Sequence, residues 1–203
     1  MITIRFFLIL ALILCREGAG YAQSASNYGK NPVVKIATGQ GDIYCEIFLD
    51  RAPVTAGNFM EYVNRGLYKD ACFYRVVTPD NQPTSKIKIE VIQGGLDHCT
   101  TKKPLPPIRH ESTQATGIKH LNGTLSMARN EPGTANAEFF ICIINQPELD
   151  YGGRRNPDGQ GFAAFGRVVK GMNTVRKIQL LPSTNQMLNI SVRIKEIKVV
   201  KEY

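Results

Sequence analysis

Eight short apolar runs, separated by turns and only two helix-like stretches, set what this chain can fold into. The runs span 33–38, 43–49, 71–77, 86–92, 123–128, 138–144, 162–169 and 190–199. Each has strand length, and several alternate with period two. Ile43, Cys45, Ile47 and Leu49 alternate with Tyr44, Glu46 and Phe48, and Lys86 to Val91 alternates charged with aliphatic residues. In the last run the phase slips after Ile194, which predicts a bulge there. Gly39-Gln40-Gly41-Asp42 carries the glycines of a tight hairpin. Pro53 suits a helix's first turn, Val54, Phe59, Tyr62 and Val63 recur at helical spacing, and Gly66 stops that helix. A second helix is expected from Met172 to Leu180. No strand–helix–strand alternation and no repeat occurs. The expectation is a mainly β fold: a closed eight-stranded antiparallel β-barrel capped by two α-helices. A barrel of that size is filled by its own side chains, so a ligand must bind outside it, in a groove of strands and loops.

One residue is out of place in this pattern. Ala71-Cys72-Phe73-Tyr74-Arg75-Val76-Val77 reads as a buried strand, yet it holds an arginine. A guanidinium is always charged and costly to desolvate. Arg75 therefore either sits in a buried ion pair or reaches from a core strand into a cleft.

The sequence offers little material for other chemistry. It has no GxSxG, HExxH, Walker or Ser-x-x-Lys motif. Its 3 histidines all lie between 98 and 120, and His98-Cys99 and His110-Glu111 lack metal-ligand spacing. No metal is expected. The net charge is +8, but Lys and Arg are scattered with no run longer than two, so no nucleic-acid partner is expected.

Residues 1–22 read as a signal peptide. Arg5 is followed by an apolar run from Phe6 to Leu14, and Gly20-Tyr21-Ala22 offers a small-x-small cleavage site. The run is too short to span a bilayer, so no stable membrane insertion is expected after cleavage. Lipid anchoring through Cys15 is the alternative, opposed by Leu14. A periplasmic or secreted protein follows, with a loose lead-in at 23–32 and one domain at 33–203. Cys45, Cys72 and Cys142 lie in strand-like runs and read as small hydrophobes, while Cys99 falls in a polar loop. Their disulfide state is left open.

Five motifs in order resemble the cyclophilins: Phe73-Tyr74-Arg75-Val76-Val77, Gln93-Gly94-Gly95, Gly123 to Arg129, Glu138-Phe139-Phe140-Ile141 and Phe162 to Val168. Asn58-Phe59 and Gly171-Met172 fit as well. The resemblance covers about residues 33 to 200 and is to a divergent member of the compact bacterial exported branch. It implies peptidyl-prolyl cis-trans isomerase activity on proline-containing peptides and unfolded exported proteins, and no cofactor; the sequence carries no oligomer signal, so a monomer is the default expectation. By resemblance, Arg75 is catalytic. Phe140, Val91 and Leu149 form the slot for the proline ring, and Gln93 holds the substrate carbonyl and positions Arg75. Ala128 and Arg129 lie along the neighbouring strand edge and contact the residue before proline largely through backbone groups, and Phe162 stands where many relatives carry His or Tyr. Four departures are visible: Tyr74 replaces a His, Glu138 a Gln, Glu90 a pocket aromatic, and Glu148 the cyclosporin-binding aromatic. The segment 78–90 is longer than usual. These departures imply weak cyclosporin sensitivity, a Glu138–Arg75 pair, and as alternative function a peptide-binding chaperone module with little isomerase activity.

Overall fold

The structure is a computed structural model that describes residues 31–201. The signal segment, Cys15 and nearly all of the lead-in lie outside the described residues. The strands are β1 (Val33–Thr38), β2 (Gly41–Ile47), β3 (Cys72–Val77), β4 (Val91–Gly95), β5 (Thr124–Met127), β6 (Phe139–Cys142), β7 (Ala163–Lys170), β8 (Ser183–Thr184) and β9 (Met187–Val200). The helices are α1 (Pro53–Asn64), α2 (Thr113–Thr116) and α3 (Met172–Gln179).

All pairings are antiparallel, in the order β1-β2-β7-β5-β6-β4-β3-β9, and β9 pairs back to β1. That closes an eight-stranded barrel, as the sequence predicts. The two-residue β8 is a hairpin annex on β9. The interior is filled by alternating side chains such as Ile36, Ile43, Phe73, Ile92, Leu125, Phe139 and Phe165, all fully buried. Phe59 of α1 packs edge-on to Phe139 at 5.5 Å and against Phe165 at 5.0 Å, so α1 covers this core. A third, one-turn helix, α2, adds to the two expected.

Helix α1 starts at Pro53, as expected, but Ala52 offers its N-terminus no capping side chain. The orphan N–H groups are met from 56 residues away: the buried Glu111 carboxylate accepts from Thr55 N at 2.6 Å. It also accepts from Val54 N and Thr55 Oγ1. This carboxylate therefore serves the helix.

Two bulges shape the sheet. The pairing of β1 with β9 shifts between Ala37↔Glu196 and Thr38↔Ile194, so Lys195 is the extra residue just where the sequence phase slips. The other lies in β3. Phe73 pairs with Gly94 and Arg75 with Gln93, which leaves Tyr74 unmatched.

Two readings need correction. The expected strand at 86–92 begins only at Val91 and runs on through Gln93-Gly94-Gly95. Residues 78–90 leave the sheet, because β4 first meets β3 at Val77↔Val91. Gln82 pins that loop: its Nε2 donates to the carbonyls of Thr78 and Ile89, both at 2.8 Å. Gly94 belongs inside the strand because a Cβ there would run into the Cys72 carbonyl and Phe73. Cys72, read as a small hydrophobe, instead forms a disulfide with Cys99, with Cα atoms 5.9 Å apart. Cys45 and Cys142 are free and buried.

Candidate active site

The bulge at Tyr74 creates the site. Along β3, Phe73 points into the barrel, Tyr74 and Arg75 both turn outward, and Val76 points in again. Without an extra residue, strand alternation would send one of that pair into the core. Arg75, Gln93, Phe140 and Ser126 are then direct cross-strand partners on β3, β4, β6 and β5. One register row across four strands thus carries a cation, an amide, an aromatic ring and a hydroxyl.

A separate apolar cluster lies on this outer face: Val77, Ile89, Val91, Phe140, Cys142 and Leu149, with Ala128 and Phe162 against it. Its members Ile89, Val91, Phe140, Leu149, Ala128 and Phe162, together with Arg75 and Gln93, line a groove of about 510 Å³. The structure brings to this groove every residue singled out in the sequence: Arg75, Val91, Gln93, Ala128, Arg129, Phe140, Leu149 and Phe162.

Phe140 is fixed from two sides. Phe162 meets it edge-on at 5.3 Å, and the His120 ring stacks parallel to it at 6.0 Å. His120 is held in turn: Nδ1 lies 2.8 Å from Asp150 Oδ1 and Nε2 lies 2.9 Å from Ser126 Oγ. The carboxylate only accepts, so Nδ1 donates to it and Nε2 accepts from the Ser126 hydroxyl. Burial holds the His120 pKa below its usual value, against the opposing pull of Asp150. Burial raises the Asp150 pKa, but the hydrogen bonds from His120 outweigh it and the net shift is downward. This trio has the membership of a hydrolase triad, yet Ser126 and His120 are fully buried and do not line the groove. It supports Phe140 from behind.

Among the described residues, Arg75 has no carboxylate among its hydrogen-bond partners. Nη1 donates to Gln93 Oε1 at 2.8 Å, while Nε and Nη2 donate to Gln186 Oε1 at 3.1 and 2.6 Å. Burial lowers its pKa, and the nearby charge of Arg155 lowers it further. Of the five guanidinium N–H groups, one on each terminal nitrogen stays free of these bonds. The charge therefore reaches a cleft, the second of the two options the sequence left.

The expected Glu138–Arg75 pair is not formed. Glu138 Oε2 accepts from the Tyr74 hydroxyl at 2.8 Å, and Oε1 accepts from the backbone N–H groups of Leu96 and Asp97 at 2.7 and 3.0 Å. The bare backbone of Gly95 makes the room, since a Cβ there would occupy the carboxyl group's position. Tyr74 then accepts from Gln93 Nε2 at 2.8 Å. The result is a directed chain, Arg75 to Gln93 to Tyr74 to Glu138. A carboxylate can only accept, so Tyr74 must donate to it; the Gln93 NH₂ then faces Tyr74 and its carbonyl faces Arg75. Two departures from the family pattern, Tyr74 and Glu138, are thus the two ends of one device that orients Gln93. Burial raises the Glu138 pKa despite its three hydrogen bonds.

The other acidic departures also face away from Arg75. Glu90 Oε2 accepts from Gln179 Nε2 at 3.3 Å. Glu148 is paired with Arg154 at 2.7 Å. Arg129 is committed as well: it donates to Asp158 and to the Gly161 carbonyl and lies 5.3 Å over the Phe162 ring. Its side chain therefore braces the groove wall.

Among the neighbours that the sequence did not single out, Ile89, Arg155 and Gln186 bear most on Arg75 and the slot. Ile89 joins the slot because the long loop folds back on Gln82. Arg155 lines the groove and donates to the Ile87 carbonyl at 2.5 Å. Gln186 touches Arg75 from the β8–β9 turn, where the only sequence signal is a missing glycine after Asn185.

Comparison with known proteins agrees with this geometry. The sequence profile of the family described as cyclophilin type peptidyl-prolyl cis-trans isomerase/CLD matches residues 33–199. Peptidyl-prolyl cis-trans isomerase A of Dickeya dadantii (strain 3937) is 34% identical over 155 residues, covering 75% of this chain and 73% of that protein. Peptidyl-prolyl cis-trans isomerase B of Escherichia coli (strain K12) is 34% identical over 148 residues, covering 72% of this chain and 84% of that protein. The crystal structure of a Cryptosporidium parvum cyclophilin type peptidyl-prolyl cis-trans isomerase superposes with a TM-score of 0.69 at 24% identity, over 85% of this chain and 99% of that one. The barrel, the row of side chains from Arg75 to Phe140 and the match over 33–199 lead to one conclusion: the chain belongs to the cyclophilin-type peptidyl-prolyl cis-trans isomerase family.

Proposed function

We propose that this protein accelerates rotation about X-Pro peptide bonds in exported polypeptides, with Arg75 as the catalytic group. The observation that carries the proposal is a guanidinium held by two neutral amides, with one N–H on each terminal nitrogen outside those bonds among the described residues, beside an apolar slot walled by Phe140. Rotation about a peptide bond faces a barrier of about 18–20 kcal/mol because the nitrogen lone pair is delocalised into the carbonyl. In the twisted transition state that lone pair becomes localised on nitrogen and can accept a hydrogen bond. A charged donor placed there stabilises the twisted form more than either planar form, which is the condition for catalysis. Such a bond is stronger in a groove that is partly closed to water.

Phe140, Val91, Leu149 and Ile89 supply the slot for the proline ring. The spare lone pair of Gln93 Oε1 and the backbone edge at Ala128 and Arg129 flank it. No step requires a bond to form to the protein, so a buried Ser126 is no obstacle.

Export is supported by two features. The Cys72–Cys99 disulfide belongs to an oxidising compartment, and residues 1–22 have the layout of a cleavable signal. Membership of the bacterial exported branch is part of this proposal. Among the described residues, no helix is long and apolar enough to cross a membrane. The alternative of a binder without rate rested on Glu90, Glu138 and Glu148, whose carboxylates are all engaged away from Arg75.

Refolding of a protein whose slow phase is limited by proline isomerisation tests the activity. The slow phase should shorten in proportion to added enzyme. An unchanged slow phase alongside measurable peptide binding would establish the binding module. Fractionation of the expressing cell tests export; a full-length protein retained in the cytoplasm would overturn it.

A further inference from the structure

We propose that Gln186 is a positioning residue for Arg75, retained at a turn position where its own backbone is strained. This inference rests on the reading of Arg75 as the catalytic group. The β8–β9 connection is a two-residue hairpin turn: Thr184 pairs with Met187, and Asn185 and Gln186 take φ of 50° and 71°. Left-handed φ at both central positions is what Asn-Gly satisfies cheaply. Asn185 fits. Gln186 does not, because a Cβ in this region crowds the following carbonyl and glycine alone avoids the penalty.

What Gln186 gains is contact with the guanidinium. Its Oε1 accepts from both Nε and Nη2 of Arg75. Its Nε2 donates to the Asn81 carbonyl at 3.1 Å, which fixes the amide with oxygen toward Arg75. Its backbone carbonyl accepts from Val76 N at 2.8 Å. Asn81 is itself fixed, donating to the Val76 carbonyl at 3.0 Å and accepting from Thr78 N at 3.0 Å. The long segment after Val77 thus buttresses the residue that holds Arg75. Gln93 grips one edge of the fork and Gln186 the other, so the plane of the guanidinium is set from both sides. Gln186 does not line the groove, so it acts on the groove only through Arg75.

Strain kept where a cheaper residue would serve points to function. Gln186→Gly relieves the turn but removes three side-chain hydrogen bonds, so the unfolding temperature should change little while kcat falls about tenfold, the loss expected for removing one hold on a charged group. KM should stay within twofold. Gln186→Glu keeps an acceptor for Arg75 but loses the donor to the Asn81 carbonyl and sets an anion on the guanidinium, so it should recover only part of the lost rate. Asn185→Gly changes the neighbouring turn position, which Asn already fits, and should leave kcat unchanged. Combined with Arg75→Ala, Gln186→Gly should cause no further loss. If Gln186→Gly keeps full kcat while Arg75→Ala loses it, the inference about Gln186 is wrong and the reading of Arg75 stands. If Arg75→Ala keeps full rate, the underlying reading is wrong. A Gln186→Gly protein that is both less stable and slower, without recovery by Gln186→Glu, would mark Gln186 as merely structural.

Discussion

Removing a single oxygen, in Tyr74→Phe, tests the directed chain behind Arg75. The Tyr74 hydroxyl donates to Glu138 and accepts from Gln93, both at 2.8 Å. The bond to the carboxylate should contribute about 1.5–3 kcal/mol and the bond from the amide about 1 kcal/mol. The new ring fills the same buried space, so no cavity opens. Partial recovery through water at the half-open groove brings the expected loss to about 2–3 kcal/mol, a fall of about 5–10 °C in Tm for a domain of this size. The catalytic consequence is separate. With no acceptor for its NH₂ group, Gln93 is free to turn its amide, and Arg75 loses the hold on Nη1. A decrease of about tenfold in kcat/KM follows, equivalent to about 1.4 kcal/mol of transition-state stabilisation. A peptide isomerisation assay alongside a thermal melt reads both. A variant with wild-type kcat/KM would refute the claim that the chain from Glu138 positions Arg75, even if its Tm fell.

Other consequences follow from the same structure. Burial raises the Glu138 pKa, so Glu138 gains its proton at higher pH than an exposed glutamate, near which Asp97 and Tyr74 are the titratable neighbours. Once protonated it can donate to Tyr74 and release the order of the chain, so kcat should decline on acidification from a pH above about 4.3; Glu138→Gln should lack that limb. The stability sign is opposite: a folded pKa above the unfolded one contributes stability below the unfolded pKa that is lost as pH rises through the folded pKa. Wild type should therefore gain on Glu138→Gln in denaturant melts as pH falls. Glu111→Ala should cost about 2–4 kcal/mol by orphaning the first N–H groups of α1, with kcat at low temperature unchanged. Replacing Cys72 and Cys99 by Ser opens a cross-link of sequence separation 27 and should cost about 3–4 kcal/mol in a melt. In the native protein Cys45 and Cys142, fully buried with thiol pKa values raised by burial, should stay unreactive to thiol reagents.

The parts that were legible in the sequence are those that local pattern controls. Period-two alternation places Ile43, Cys45 and Ile47 in the core, and the phase slip after Ile194 marks the bulge at Lys195. Pro53 and Gly66 bound α1. Arg75, Gln93, Ala128, Arg129, Phe140 and Phe162 were legible because five motifs kept their order, not because any of them advertises a pocket. What was not legible depends on partners distant in the chain. Lys86 to Glu90 alternates like a strand, but β3 offers it no edge, and the alternation instead buries Ile89 against the slot. Glu138 looked like a counter-ion for Arg75. The bulge at Tyr74 and the bare backbone of Gly95 give it three other donors. No local pattern pairs Cys72 with Cys99, and none brings Gln186 to a side chain 111 residues away.

The central claim is that the Arg75 guanidinium lowers the barrier to X-Pro rotation. Its most direct test is the isomerisation rate of a proline peptide with wild type, Arg75→Ala and Arg75→Lys, each shown to be folded. Arg75→Ala should lose about 10²–10³ in kcat/KM, the effect of removing a preorganised donor. Arg75→Lys should also be impaired, because a point charge cannot use both Gln93 and Gln186 as a fork does. Equal rates for wild type and Arg75→Ala would contradict the account.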